Sequence, residues 1–91
     1  MKSKMFVKQK IADVSRWRSE FAKMEEARQQ YGLHLTGMYR AAEPHTIIVT
    51  LDVESVEKAK EFANSGVLRQ GRERAGAIGD ADYWIAEEAI T

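Results

Sequence analysis

Apolar residues recur along this chain with two different periods, and each change of period marks an element. Residues 4–11 alternate, with Met5, Val7 and Ile11 on one side and Lys8 and Lys10 on the other, which predicts a strand. From Val14 the spacing lengthens. Val14, Trp17, Phe21, Met24 and Tyr31 follow one helical stripe, with Ala27 and Arg28 near it and Arg18, Lys23, Glu26 and Gln29 opposite. The pattern predicts one amphipathic helix of about five turns, opened by Asp13 as N-cap and closed by Gly32. Residues 33–41 alternate again, Leu33, Leu35, Gly37 and Tyr39 against His34, Thr36, Met38 and Arg40. "AEPHT" (42–46) reads as a turn, because Pro44 has no amide to give to a ladder.

A third strand carries Ile47, Val49, Leu51 and Val53 on one parity. Ser55 is placed to cap a second helix, whose stripe is Val56, Ala59, Phe62 and Ala63. "NSG" (64–66) breaks it, and "VLRQGRERAG" (67–76) reads as a short irregular helix bearing Arg69, Arg72 and Arg74. "AIGDADYWIAEE" (77–88) is a final strand centred on Tyr83, Trp84 and Ile85. The order β-α-β-β-α-β, with right-handed crossovers, gives an α+β ferredoxin-like fold. It has a four-stranded antiparallel sheet with both helices on one face. One domain accounts for residues 1–91.

The quoted parities raise the question of what covers the second face of the sheet. On the alternation, the helices cover Met5, Val7, Leu35, Tyr39, Ile47, Val49 and Leu51. The other face then carries Phe6, Met38, Ile48 and Trp84, with Thr36 and Thr50 among them. Four large apolar groups together exceed the few hundred Å² that a soluble monomer usually exposes, and burying each is worth about 1.5–3 kcal/mol. A second copy of the same face is the simplest cover, so a homodimer packed sheet on sheet is expected.

Composition narrows the function without naming it. Lys plus Arg and Asp plus Glu are both 14, so the formal net charge is zero. That removes the basic footprint of a nucleic-acid or anionic-membrane binder and puts no charge barrier between copies. There is no cysteine, so disulfides, thiolate nucleophiles and Cys-based metal sites are excluded. No apolar run suits a signal peptide or the roughly 20 residues of a membrane span, and a cytoplasmic protein is the default expectation. No metal is expected either: His34 and His45 sit at opposite ends of one strand, about 15 Å or more apart. The pairs Glu25-Glu26, Asp80-Asp82 and Glu87-Glu88 read as surface charge. No nucleophilic elbow, P-loop or dinucleotide fingerprint occurs.

Stretches spread over most of the chain carry a resemblance. They are "VKQKIADVSRW", with its tryptophan on the first helix, "GMYRAAEPHTIIVTLDVESVEKAKEF", and "AGAIGDADYWIAEE". The chain resembles the dimeric α/β-barrel superfamily, and within it small proteins related to antibiotic-biosynthesis-type monooxygenases. Where Gln9 stands that group often has a histidine-like position, and the turn after Arg40 often resembles Asp-Pro-Asn rather than Glu43-Pro44-His45. The resemblance implies ferredoxin-like subunits that pair through their sheets. It also implies cofactor-independent oxygenase or isomerase activity on a hydrophobic, aromatic or enolisable substrate, with no cofactor expected.

Other families share the element order, among them amino-acid-binding regulatory domains, which the residues do not exclude. An RNA-recognition domain needs aromatics on its inner strands, where Ile48 and Thr50 stand. An acylphosphatase needs a glycine-and-arginine loop after the first strand, which this chain lacks. Topology places Gln9, Trp17, Tyr39, His45, Arg72 and Tyr83 near one mouth of the layer between sheet and helices. Tyr39 and His45 are the candidate catalytic pair, to orient or deprotonate a substrate. Gln9, Trp17, Arg72 and Tyr83 are the candidate binding residues. Each has a plainer reading: Trp17 as core, the tyrosines as packing with a hydrogen-bonded hydroxyl, Gln9 bonded to backbone, His45 as an exposed turn residue, and the arginines as a solvated helix face. A non-catalytic ligand-binding or assembly module is the alternative to an enzyme.

Overall fold

The computed structural model describes residues 3–89. The elements are β1 (Ser3–Ile11), α1 (Val14–Lys23), α2 (Glu25–Gln30), β2 (Leu33–Arg40), β3 (Thr46–Val53), α3 (Val56–Ala63), α4 (Gly66–Ala75) and β4 (Ala77–Glu87). The four strands form one antiparallel sheet in the order β2-β3-β1-β4, with the helices on one side. This is the ferredoxin-like α+β fold that the alternation of periods predicts. Asp13 and Ser55 accept the amides of Arg16 and Lys58 at the starts of α1 and α3, each satisfying one of the orphan donors of a helix end.

The first long helix is two helices. At Met24 (φ −93°, ψ 5°) the amide bonds back only three residues, to the Phe21 carbonyl at 3.1 Å. The same carbonyl accepts Nη1 of Arg28 at 2.7 Å. The tightened turn ends α1, and α2 departs from it. The segment expected to be irregular is instead a full helix, α4. Ser65 caps its start through the Leu68 amide, and Gly76 closes it in the left-handed region (φ 77°). Arg16 adds a clamp from outside, donating Nε to the Arg74 carbonyl at 2.6 Å. Orphan carbonyls at a helix C-terminus attract such a cation. Gly71 lets α4 lie close to α1, because a β-carbon there would fall 2.2 Å from Sδ of Met24.

The core lies between sheet and helices and includes Met5, Ile11, Trp17, Leu33, Val49, Leu51 and Phe62. Two bulges set which side chains reach it. In β2, Leu35 pairs with Leu51 but Gly37 pairs with Thr50, so one extra residue enters and every later side chain changes face. The expected alternation therefore reverses. Met38, expected on the open face, packs against the core. Tyr39, expected beneath the helices, pairs with Ile48 on the open face and is 57% exposed. Leu35 keeps its side but is 46% exposed, because β2 is an edge strand. In β4 the residues Gly79, Asp80 and Ala81 all lie opposite Gln9. Two extra residues enter there, and the parity of Tyr83 and Trp84 is kept.

Candidate functional site

The helix-facing residues of the sheet do not meet the helices everywhere. A cavity of about 300 Å³ lies between them. Its floor crosses the whole sheet, from Tyr83 on β4 over Val7 and Gln9 on β1 and Val49 on β3 to Leu33 on β2. Trp17 and Phe21 on α1, Phe62 on α3 and Leu68 on α4 form the roof. Trp17 and Phe21 stack, with ring centroids 4.7 Å apart and planes inclined by 22°. A mostly apolar concavity with a few fixed polar groups is the usual form of a small-molecule site.

One set of polar groups is built around Gln9, which is 4% exposed. Its Oε1 accepts Nε and Nη2 of Arg72 at 3.1 and 2.7 Å. Its Nε2 donates to the carbonyls of Lys10 at 2.7 Å and Ile78 at 3.1 Å. Nη2 of Arg72 also reaches the Gly79 carbonyl at 2.5 Å. The β4 bulge makes this possible, since Gly79 (φ 70°) takes a conformation that only glycine adopts easily. Carbonyls that a regular ladder would use are thereby turned toward Gln9 and Arg72. Gln9 is fully satisfied, and its bonds hold Nε and Nη2 of Arg72 at the cavity wall.

Asp80, in the same bulge, lines the cavity, and with Tyr83 and Asn64 it is exposed. These residues mark the mouth, at the β4 edge. At the far end, under β2, sits Arg28. It is 5% exposed, lines the cavity, and has its guanidinium carbon 3.8 Å from the centroid of the Phe21 ring. Burial pushes its pKa down, and the charge of Glu25 acts against that.

The structure thus brings together Gln9, Trp17, Arg72 and Tyr83 as walls of one cavity. It does not bring Tyr39 or His45 there. Tyr39 lies on the opposite face of the sheet, its ring over Gly37, because the β2 bulge reverses the parity from which its position was expected. His45 is exposed in the β2–β3 turn at φ 55°, and its carbonyl accepts the Ile11 amide at 2.7 Å. Sequence reasoning passed over Arg28 and Asp80. Arg28 stands on the apolar stripe of the helix, where a cation must find a special environment. Gly79, a glycine inside a strand pattern, is the signal of the bulge that sets Asp80 at the mouth. Among the described residues no cluster of His, Cys, Asp and Glu could hold a metal ion, and no helix is long and apolar enough to cross a membrane.

No protein-family profile matches this sequence, and no curated protein matches it. Solved structures do. A protein of Bordetella bronchiseptica assigned as an antibiotic biosynthesis monooxygenase superposes with a TM-score of 0.77 at 12% identity, over 98% of each chain. SnoaB, a cofactor-independent oxygenase from Streptomyces nogalater, solved as a single-site mutant, gives 0.68 at 11% identity, over 99% of this chain and 95% of that one. A conserved protein from Methanosarcina mazei gives 0.71 at 9% identity, over 98% and 94%. At such identities the likeness is one of fold: the described residues have the ferredoxin-like fold of the antibiotic-biosynthesis-monooxygenase-type structures.

Proposed function

We propose that this protein binds a small hydrophobic, aromatic or enolisable molecule in the cavity between sheet and helices. We propose further that it acts on that molecule without a cofactor, as an oxygenase or isomerase. The observation that carries the reading is the cavity itself, with apolar walls and, near its mouth, the cation Arg72 held in place by Gln9. Such a preorganised donor stabilises the negative charge that develops on a carbonyl oxygen as an enolate forms. Trp17 and Phe21 offer a flat wall for an aromatic ring. The polar chemistry then belongs to Gln9, Arg72, Asp80 and Tyr83 at the mouth. Among the described residues Asp80 is the one carboxylate in the cavity wall, and it is the group we assign as proton acceptor. Tyr39 and His45 lie outside the cavity and are not part of this reading. The fold shared with a cofactor-independent oxygenase supports it.

The working unit in this proposal is a homodimer. Trp84, 52% exposed, and Tyr39 stand on the open face together with Phe6 and Ile48, an apolar area of the kind that marks an interface. Phe6 pairs with Trp84 toward the β4 edge and Tyr39 with Ile48 toward the β2 edge, with Thr50 and Lys8 between the two pairs. The ion pair Lys4–Asp52, at 3.6 Å, lies toward one end.

A second reading, a non-catalytic binding module, is favoured by one observation: the cavity wall among the described residues contains no histidine or cysteine. A thermal-shift screen of phenolic and enolisable aromatics, followed by oxygen-uptake and isomerisation assays on every ligand that stabilises the fold, separates the two. Turnover that is lost in Asp80→Asn and Arg72→Met supports the enzyme. Binding without turnover supports the module. A screen with no stabilising ligand overturns both.

A further inference from the structure

Arg28 is a cation in the wrong place for a merely structural residue. It is 5% exposed, yet among the described residues no carboxylate reaches ion-pair distance of it. Among the described residues its one hydrogen bond runs from Nη1 to the Phe21 carbonyl at 2.7 Å. A guanidinium carries five N–H donors in a planar fork that matches a carboxylate. Here most of that capacity is unused. The group is also not sealed in, since no fully buried side-chain nitrogen or oxygen among the described residues lacks a hydrogen-bond partner. The remaining donors therefore keep access to space, and the cavity is one space that Arg28 lines. A second groove under β2, of about 580 Å³ and lined by Arg18, Glu25 and Gln29, touches it on the other side.

We propose that Arg28 is the anchor for the carboxylate of an amphipathic organic acid, whose apolar body fills the cavity and whose other end points to the mouth. This rests on the reading of the cavity as a small-molecule site and names the chemical class of the molecule. Three features of the cavity agree. Between Arg28 at one end and Arg72 at the other the walls are apolar, which suits a ligand with a hydrophobic middle. Arg72 has Nε and Nη2 already engaged by Gln9 and Gly79, so Arg28 has more donors left for an anion. Asp80 stands at the mouth, where its like charge repels a carboxylate and favours the orientation with the acid group inward. A buried cation held by one carbonyl and the face of an aromatic ring is only partly compensated. A carboxylate arriving from the cavity completes that compensation and gains charge-assisted, bidentate hydrogen bonds in a low-dielectric site.

The test compares 2-naphthoate with 2-naphthamide, which share shape but not charge, by isothermal titration calorimetry on the whole protein. The expected result is at least tenfold tighter binding of the acid. In Arg28→Met that preference falls to within threefold of unity, while the amide binds as before. Arg28→Lys, which keeps charge but not the fork, retains part of the preference, and it stands in for the methionine variant should that one not fold. Equal binding of acid and amide by the unaltered protein overturns this inference and leaves the cavity-site reading standing. A preference that survives in Arg28→Met but disappears in Arg72→Met also overturns it, placing the anion at the mouth. Binding of neither probe overturns both.

Discussion

Gln9 and Arg72, 63 residues apart in the chain, are joined by two hydrogen bonds from one guanidinium to one amide oxygen, at 3.1 and 2.7 Å. The pair ties α4 to β1 across a bulge in β4, and it closes one side of the cavity. Gln9→Met keeps the volume and removes both the acceptor and the two donors. Arg72 and the carbonyls of Lys10 and Ile78 then lose a partner. Hydrogen bonds to a charged group are worth about 1.5–3 kcal/mol, so a loss of stability of about that size is expected in urea denaturation. A change below about 0.5 kcal/mol would show that water replaces the glutamine freely.

The β2 bulge makes its own prediction. A β-carbon on Gly37 would fall 2.7 Å from the Tyr39 ring and 2.9 Å from Oγ1 of Thr50. Gly37→Val should therefore cost about 1–3 kcal/mol through overpacking, read by denaturant midpoint. Because the clash is with Tyr39, the double variant Gly37→Val, Tyr39→Ala should recover part of that loss. Strict additivity of the two changes would mean that the ring moves aside at no cost.

Self-association has a simple handle. Trp84 is half-exposed within one copy, so Trp84→Glu should leave the subunit folded while placing two buried charges in the proposed dimer. Removing about 1.5–3 kcal/mol of apolar burial from each side predicts a dissociation constant raised about a hundredfold or more. Sedimentation velocity at micromolar concentration checks this. An unaltered protein that already sediments as a 10.3 kDa particle removes the sheet-to-sheet dimer.

Glu20 gives a pH prediction. A hydrogen bond from Lys23, with Arg74 adding a second contact, holds its carboxyl below the ordinary glutamate value. A carboxyl depressed in the folded state contributes stability that is present above its unfolded pKa of about 4.3 and is lost as pH falls through the folded value. Stability of the unaltered protein should therefore decline below about pH 4.3 more steeply than that of Glu20→Gln. Denaturation curves at pH 5.5 and 3 compare the two slopes. Parallel slopes would mean that solvent screens the contacts completely.

Tyr39 and Tyr83 separate the two faces of the sheet. Tyr83 lines the cavity and Tyr39 does not. Tyr39→Ala should leave the affinity of a cavity ligand unchanged within about twofold and weaken dimerisation. Tyr83→Ala should lower ligand affinity tenfold or more, since an aromatic wall buries a large apolar area. Calorimetry on both variants decides, and the reverse pattern would move the site to the open face.

The linear pattern of residues determined the architecture. Alternation at Met5-Val7, Ile47-Val49-Leu51 and Tyr83-Ile85, and helical stripes at Trp17-Phe21 and Ala59-Phe62, place four strands and the helices between them, because burial acts on each segment locally. The zero net charge and the missing cysteines were equally plain. The faces of Met38 and Tyr39 were decided only by the tertiary structure. Period-two counting carries through a strand only if no residue is inserted in it, and the bulge at Gly37 shifts every position after it by one. The break at Met24 and the burial of Arg28 share one cause of the same kind. The Phe21 carbonyl that ends α1 is also the partner of a side chain seven residues later, and no local propensity contains that bond. The cavity is the clearest case: it is what remains when α1, α4 and the sheet meet at distances set by Gly71, Gly79 and the Gln9–Arg72 pair. Those distances exist only once the whole chain has closed on itself.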